Sequence, residues 1–346
     1  MTKHLRTLLA PLLCAVGLAH AGSLNTDALA YTLNDVAQHS DGRFGACVSD
    51  GRTMACTHGD QRFPLFGLMH LPLAITVMDL VDRHIWRLDD QVYVTRSDLG
   101  FTVQPIADKI GPDGYKTSIG DLLEGMLVHN DAAAANYLLR RLGGQRVVQH
   151  LMEHSLVKEV HLDRDEWHLR ADILGMDWQP TDANEAIFAH DLAAIPDDKR
   201  QKAFDDFLKD TRDTATPRGM VAIVALLADG KRLSPDSTTD LLKLMAAAQY
   251  GQAGLKAGLA PGWQLAGVAA RGPDRHGVNS ATGEIGLLTA PDGTNLAVCV
   301  FSSGSKAPDS VRAAAFALVA RAATAAYEPS PRSVSEQAKP GGLPLQ

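Results

Sequence analysis

The sequence lacks the features of a nucleic-acid-binding protein or a membrane-spanning one. Its 33 basic residues are outnumbered by 40 acidic ones, which gives a formal charge of −7, and it has no run of basic residues. No apolar stretch after residue 21 reaches the length of about 20 residues needed to cross a bilayer. We therefore expect neither a nucleic-acid partner nor a transmembrane segment in residues 22–346. What the chain does contain, 45% hydrophobic and 21% charged residues, is typical of a globular protein.

The first 21 residues have the pattern of a secretory signal peptide. Lys3 and Arg6 precede the apolar stretch 8–18, and Ala19-His20-Ala21 supplies small residues where a signal peptidase cleaves. We expect cleavage near Ala21/Gly22 and a periplasmic or secreted mature protein. Export to an oxidising compartment would allow disulfide bonds to persist.

Two of the cysteines flank a turn signal. Gly51-Arg52 separates two short strand-like stretches, and a two-residue turn there places Cys47 directly opposite Cys56. A disulfide between them is therefore predicted, and two small strand residues with free thiols are the alternative. Cys299 lies in the apolar stretch 295–301, where a buried structural cysteine is expected.

The periodicity of apolar residues predicts mixed secondary structure. Helices are predicted around Leu29, Leu33 and Val36 and over 68–86, 118–128, 132–142, 216–227, 237–248 and 311–327. Strands are predicted for the hairpin and for 264–270, 283–289 and 296–302. The stretch 164–212 is predicted to be a long surface loop with some helix in its second half.

These elements predict an α/β fold, an α+β sandwich with one antiparallel sheet built from both chain ends and flanked by helices. The α/β lobe would comprise about 22–66 and 215–327, and an all-helical lobe of about 67–214 would be inserted between its parts. Residues 328–346 are rich in Pro, Ser and Gly, which predicts a disordered tail.

Six stretches carry a resemblance to a known family. They are Arg62-Phe63-Pro64 before a buried helix, 130–139 followed by Gly143-Gly144, Leu162 to Glu166, Pro217 before a helix, Pro261-Gly262-Trp263, and Pro291-Asp292-Gly293 before a strand. In this order, over residues 25 to 327, they resemble the class A serine β-lactamases. The resemblance implies a two-lobed α/β architecture with the active site between the lobes.

The chemistry of that family uses the motifs S-x-x-K, S-D-N, E-x-x-L-N and K-T/S-G. Counting from Arg62-Phe63-Pro64, the S-x-x-K positions read Gly67 to His70, so the nucleophile is absent and His70 replaces the lysine. The S-D-N positions read Asn130-Asp131-Ala132. A carboxamide cannot relay a proton as a hydroxyl does, and Ala132 removes an amide that would hold substrate.

The other two motifs are also altered. The acidic motif reads Glu166 to Arg170, which keeps the acid that would activate water and places Arg where Asn belongs. Counting back from Pro291-Asp292-Gly293, the K-T-G positions read Val268-Ala269-Ala270, so the cation and hydroxyl that would grip a substrate carboxylate are missing.

Without a nucleophile no covalent intermediate can form, which predicts a secreted pseudoenzyme with no cofactor. The family's oxyanion hole consists of backbone N–H groups, here those of Gly67 and Arg271, and these survive side-chain replacement. With the side chains of Arg271 and Arg170 nearby, the cleft is predicted to bind a small carboxylate or a peptidoglycan-derived ligand. The alternative is that both arginines are solvated or paired with neighbouring acids.

Two other functions stay open at this point. His70 and Glu166 could together activate water for direct hydrolysis of a β-lactam or a related amide or ester. The chain could instead be an envelope protein-interaction module with a protein partner. Absence of small-molecule binding together with a stable co-purifying protein would favour that second function.

Other motif matches carry little weight. Ser155 to Lys158 and Ser303 to Lys306 match S-x-x-K, and Lys116-Thr117-Ser118 resembles K-T-G, but neither serine begins a buried helix after the hairpin. Four histidines have spacings that metal ligands could use, but no third ligand is fixed by the sequence, and no metal is predicted. They are His150, His154, His161 and His168.

Overall fold

The computed structural model describes residues 22–329 except 102, 155 and 156. Several helices begin where a polar side chain accepts a hydrogen bond from the first turn, as Ser118, Asp131 and Asp165 do. The helices in the described residues are α1 (Thr26–Gln38), α2 (His70–Asp82), α3 (Ile119–His129), α4 (Ala132–Leu142), α5 (Gln145–His154), α6 (Glu166–Leu174), α7 (Glu185–Ala194), α8 (Asp197–Phe207), α9 (Pro217–Ala228), α10 (Pro235–Ala246) and α11 (Asp309–Ala325).

The main sheet joins the two ends of the chain. Its strands follow the order β3-β2-β11-β10-β8, all antiparallel, and β9 pairs with the start of β10. The predicted fold class is therefore confirmed. The strands are β1 (Ser23–Leu24), β2 (Arg43–Ser49), β3 (Met54–Thr57), β4 (Phe63–Pro64), β5 (Gln91–Val94), β6 (Tyr115–Ser118), β7 (Thr214–Ala215), β8 (Gln264–Arg271), β9 (Asp274–Arg275), β10 (Val278–Thr289), β11 (Asn295–Ser305) and β12 (Tyr327–Glu328).

The sheet separates two hydrophobic cores. Successive residues of a strand point to opposite faces, so Ala46 and Val48 pack with α1 and α11, including Phe316. Cys47 and Phe301 point to the other face and pack with α9 and the inserted helices. Complete burial of a large apolar side chain stabilises the fold by about 1.5–3 kcal/mol, so both faces anchor the sheet.

The hairpin between β2 and β3 has the predicted register. Cys47 lies directly opposite Cys56, and the two form a disulfide. Gly51 has a φ of 83°, a left-handed conformation that glycine adopts without a steric penalty. The predicted disulfide is thus confirmed. Cys299, expected to be a buried structural cysteine, is buried and forms no disulfide.

The first buried helix differs from its predicted bounds. A 3₁₀ turn, Phe66–Met69, precedes α2, and α2 ends at Asp82 rather than near Trp86. The helix stops early because His84 takes a left-handed φ of 56°. Apolar residues continue past Asp82 in the sequence, so the apolar pattern alone does not show where the helix ends.

The inserted segment also differs from the expectation. Its stretch 164–212 contains α6, α7 and α8, so helix occurs in both halves and the predicted long loop is wrong. The Asp165 cap starts α6, and Leu169 and Ile173 bury one side of it. The segment, expected to be all helical, also carries the β5–β6 ribbon, because Val92 and Val94 alternate with exposed residues as a half-buried strand requires.

The predicted last helix ends at Ala325 rather than at Tyr327. Tyr327 instead pairs with Leu24 in a two-stranded sheet, which ties the end of the fold to its beginning. Glu328, the first residue of the predicted disordered tail, instead pairs with Ser23 in this sheet. The signal peptide predicted for 1–21 and residues 330–346 of the predicted tail lie outside the described residues. Among the described helices, none is long and apolar enough to cross a membrane.

Candidate functional site

Gly67 marks the point where three distant stretches of the chain meet. It lies in the buried 3₁₀ turn before α2. A Cβ added to Gly67 would lie 2.6 Å from Oδ1 of Asn130, 3.5 Å from Cβ of Ala270 and 3.5 Å from Cε1 of His70. Real Cβ atoms essentially never approach another heavy atom within 3.0 Å. A side chain at residue 67 would therefore require the Asn130 carboxamide, the end of a flexible side chain, to move.

His70 and Glu166 form a buried pair beside this point. His70 begins α2 and Glu166 begins α6, and Nε2 of His70 lies 3.2 Å from Oε2 of Glu166. Both side chains are almost completely buried, at 0% and 2% exposed. The other ring nitrogen of His70, Nδ1, is buried with no hydrogen-bond partner among the described residues.

Arg170 forms an ion pair with Glu166. One turn further along α6, its Nε and Nη2 donate to Oε1 of Glu166 at 3.0 and 2.8 Å. The guanidinium also lies over the ring of Phe66, 5.4 Å from its centroid. Burial opposes ionisation of Glu166, but the Arg170 charge and the His70 hydrogen bond outweigh it and lower the pKa of Glu166 to about 2. Glu166 is therefore a carboxylate at neutral pH.

Asn130, Asp131 and Ala132 form the junction between α3 and α4. Asn130 ends α3 in a left-handed conformation, which asparagine tolerates better than most residues. Asp131 caps α4, accepting from the backbone N–H of Ala134 at 3.0 Å and of Ile106 at 2.6 Å. Burial raises the pKa of Asp131 although these backbone donors favour its charged form. Both carboxylate oxygens hold the backbone, so Asp131 has a structural role here.

The edge strand β8 borders the site. Val268 and Ala270 are buried, and Ala270 faces Gly67. By the alternation of a strand, Ala269 and Arg271 lie on the opposite face. Arg271 is ion-paired with Asp274, and its Nε lies 3.2 Å from Asp309. The alternative in which both arginines are paired with acids is therefore what the structure contains for Arg170 and Arg271.

An open cavity of about 640 Å³ runs along the edge of β8. Its lining residues include Arg170, Arg271 and Arg312 together with Asp309 and Glu284. Burial raises the pKa of Glu284 to about 7, although the backbone N–H of Leu255 donates to it. The remaining predicted site residues at the cavity wall are Asn130, Ala269 and Ala270.

Comparison with known proteins decides the family. A model of the "Beta-lactamase enzyme family" matches residues 28–328. The chain belongs to this family. Its resemblance to class A β-lactamases is therefore confirmed.

Solved beta-lactamase structures have the same fold as this β-lactamase family member. A beta-lactamase from Chitinophaga pinensis DSM 2588 is 23% identical with a TM-score of 0.70, covering 86% of this chain and 98% of that one. An ancestral (GNCA) class A beta-lactamase is 26% identical, with a TM-score of 0.68 and coverages of 86% and 99%. A class A representative from Bacteroides cellulosilyticus DSM 14838 is 17% identical, with a TM-score of 0.71 and coverages of 88% and 98%.

The other motif matches lie away from Gly67 in this family member. Ser303 is buried in β11, where its hydroxyl donates to the carbonyl of Ser280. Lys116 lies on β6, and Ser118 caps α3. The match that begins at Ser155 lies partly outside the described residues.

Histidines do not assemble a metal site in the described residues, where no group of three or more His, Cys, Asp or Glu side chains could hold an ion. His150 and His154 stack on α5 with ring centroids 3.9 Å apart. His168 instead lies 2.8 Å from the carboxylate of Asp165.

Sequence reasoning missed Glu284 and Arg312 at the cavity wall. Glu284 is an acidic residue inside an otherwise apolar strand stretch, 283–289, and this is the signal that could have found it. No sequence signal points to Arg312, because it lines the cavity from α11, for which the sequence predicts a helix and no role in the site.

Proposed function

We propose that this chain forms no acyl-enzyme with β-lactams and is an exported protein of the cell envelope that binds a carboxylate-bearing ligand, such as a cell-wall peptide end. The observation that carries the first part is the contact at Gly67. There is no hydroxyl there, and the Asn130 carboxamide fills the space in front of the backbone. Nothing at this point can form the covalent intermediate on which acyl transfer depends.

The charges of the cavity support an anionic ligand. Three arginines and two acidic residues line the cavity, and the pKa of Glu284, about 7, leaves that carboxyl partly neutral at physiological pH. Arg170 uses two of its five N–H donors on Glu166, so others remain for a ligand carboxylate. Arg271 is more fully occupied by Asp274 and Asp309, and a ligand would have to compete with them.

The acylation part is tested by intact mass after incubation with a penicillin and with a reactive penem, alongside turnover of a chromogenic cephalosporin. We expect no adduct and no turnover. An adduct abolished by a single substitution would contradict the proposal and would identify the nucleophile.

The ligand part is tested by calorimetry with two peptides that differ only at the C-terminus, one ending in a free carboxylate and the other in a carboxamide. We expect the carboxylate peptide to bind more tightly and Arg271→Ala to weaken its binding. Equal affinity for the two peptides would contradict an anion site, as would binding that Arg271→Ala leaves unchanged.

A second candidate function is supported by the 3.2 Å contact between His70 and Glu166. A histidine oriented by a carboxylate can act as a general base toward water. That activity would require turnover without an adduct, lost in both His70→Ala and Glu166→Gln. Turnover that survives either substitution would exclude it.

A further inference from the structure

Three cysteines stand side by side across three neighbouring strands. Cys56 of β3 lies opposite Cys47 of β2, and Cys47 lies opposite Cys299 of β11. Residues directly opposite each other in antiparallel strands project to the same face, so the three side chains form one row. Cys47 and Cys56 are joined by the disulfide, and Cys299 is the free cysteine among the described residues.

Cys47 is the only member of this row that can bond to both of the others. Adjacent strands are about 4.8 Å apart, and disulfides span Cα separations of about 4.4–6.8 Å, so either neighbour of Cys47 is within reach. Cys56 and Cys299 lie two strands apart, at about 10 Å, and cannot bond without backbone movement. The row therefore allows two disulfide pairings, each leaving a different cysteine as the thiol.

We propose that Cys299 exchanges with the disulfide and thereby makes Cys56 a site of thiol modification at the edge of the sheet. The thiolate of Cys299 attacks Sγ of Cys47, and the Cys47–Cys299 bond forms as the Cys47–Cys56 bond breaks. The electron pair leaves on Sγ of Cys56, which takes up the proton released by Cys299. One thiol and one disulfide are present before and after, so no external oxidant is needed.

The exchange changes how accessible the thiol is. Cys299 is fully buried, and burial raises the pKa of its thiol well above the usual value, so it is unreactive in the closed sheet. Cys56 is partly exposed on the edge strand. The released Cys56 thiol could react with a low-molecular-mass disulfide or an electrophile that does not reach Cys299.

A glycine, Gly59, lies directly beside the disulfide. A Cβ at Gly59 would lie 2.8 Å from Cβ of Cys56 and 2.9 Å from Sγ of both Cys47 and Cys56. Glycine is therefore required for this close approach. The main chain at Gly59, just after the short edge strand β3, covers the two sulfur atoms. This segment can open locally without unfolding the central strands.

The location of the single thiol tests the exchange. The sequence has a fourth cysteine, Cys14, outside the described residues, so the test uses a Cys14→Ser version of the full chain. It is incubated at pH 8.5 in urea below its unfolding midpoint. The thiol is then trapped with N-ethylmaleimide, and peptides are mapped without reduction. We expect label to accumulate on Cys56 together with a Cys47–Cys299 bond. Label that is found on Cys299 alone at all times, with the Cys47–Cys56 bond intact, would overturn the proposal.

Matched variants separate exchange from other sources of thiol. In Cys299→Ala, labelling of Cys56 should disappear, and its persistence would overturn the proposal. In Cys56→Ser, oxidised glutathione should join Cys47 to Cys299 in protein that circular dichroism shows to be folded. In folded Cys47→Ser, Cys56 and Cys299 should stay unpaired. Two lasting thiols in folded Cys56→Ser would mean that the pair cannot bond and would also overturn it.

Discussion

At the scale of single residues, Glu166 depends on its two neighbours. It is buried at the start of α6, and burial alone would favour its neutral form. Arg170 and His70 reverse that preference through contacts at 2.8 to 3.2 Å. Removing one partner of a buried charge pair costs more than removing both, because the remaining charge is left uncompensated.

We therefore predict that Arg170→Met lowers the free energy of unfolding by about 3 kcal/mol at pH 7, measured by urea unfolding. The matched control is the double variant Glu166→Gln/Arg170→Met, which removes both charges and should recover more than half of the loss. If the single and double variants are equally stable, the pair is not coupled as the contacts indicate.

Glu284 leads to a prediction about how stability depends on pH. Its carboxyl titrates near 4.5 in an unfolded chain and at about 7 in the fold. Between these values the folded state holds a proton that the unfolded state has released, so stability falls as pH rises. This stabilisation is complete below about pH 4.5 and is lost as pH rises through 7, in total roughly 3 kcal/mol at most.

The measurement is urea unfolding from pH 5 to 8 of the wild type and of Glu284→Gln, whose amide keeps an oxygen acceptor for the Leu255 N–H. The wild type should lose stability relative to the variant across this range. Other titrating groups are common to both proteins and cancel in the difference. Parallel curves would contradict the raised pKa.

The contacts of these residues differ in how far the sequence predicts them. His70 and Glu166 could be placed together because both are assigned from the sequence to positions of family motifs. The pairing of Arg271 with Asp309 could not, because Asp309 lies 38 residues away on another element and no local pattern links them. Ion pairs at a surface are set by tertiary geometry, which a linear sequence shows only through a known family.

At the scale of elements, α7 buries little surface against the rest of the fold. The structure buries none of its described residues. Its main contact is Phe188, which stacks on Phe101 with ring centroids 4.5 Å apart, and Phe101 in turn contacts Trp178 at 5.4 Å. A helix with so little burial is expected to open locally more often than the sheet does.

Phe188→Ala should therefore release α7 without unfolding the protein. An aromatic pair contributes about 0.5–1.5 kcal/mol beyond its buried area, so hydrogen exchange across 185–194 should speed up by about tenfold while the sheet amides are unaffected. Ile187→Ala is the matched control, because Ile187 is 39% exposed and its truncation should change little. Equal acceleration in both variants would show that Phe188 is not the anchor.

Elements are predictable where periodicity and turn chemistry agree. The β2–β3 hairpin follows from Gly51 between two strand stretches, and a two-residue turn at that point predicts both the register and the disulfide. The helices α6 and α7 are hidden because charged residues interrupt the apolar period of 164–212, and in α6 the charged Glu166 is itself buried. A buried ion pair at a helix start breaks the binary pattern on which sequence prediction relies.

At the scale of the whole molecule, the chain has the fold of its family, and three stretches that are assigned from the sequence to the family's motifs meet at Gly67. These stretches are the 3₁₀ turn before α2, the end of α3 and the edge strand β8. The Asn130 carboxamide lies where a side chain at residue 67 would project, so a substitution at Gly67 requires Asn130 to move.

We predict that Gly67→Ser alone gives no penicillin adduct, because its Cβ would lie 2.6 Å from Oδ1 of Asn130 and the hydroxyl would have neither a base nor room. The triple variant Gly67→Ser/His70→Lys/Asn130→Ser removes the obstruction and supplies the S-x-x-K pair together with the relay hydroxyl. Intact mass at high penicillin concentration should show one adduct for the triple variant and none for Gly67→Ser/His70→Lys, which retains the carboxamide. An adduct in the double variant would show that Asn130 does not block the site. If no adduct forms even in a triple variant that circular dichroism shows to be folded, removing the obstruction does not restore acylation and the prediction is wrong.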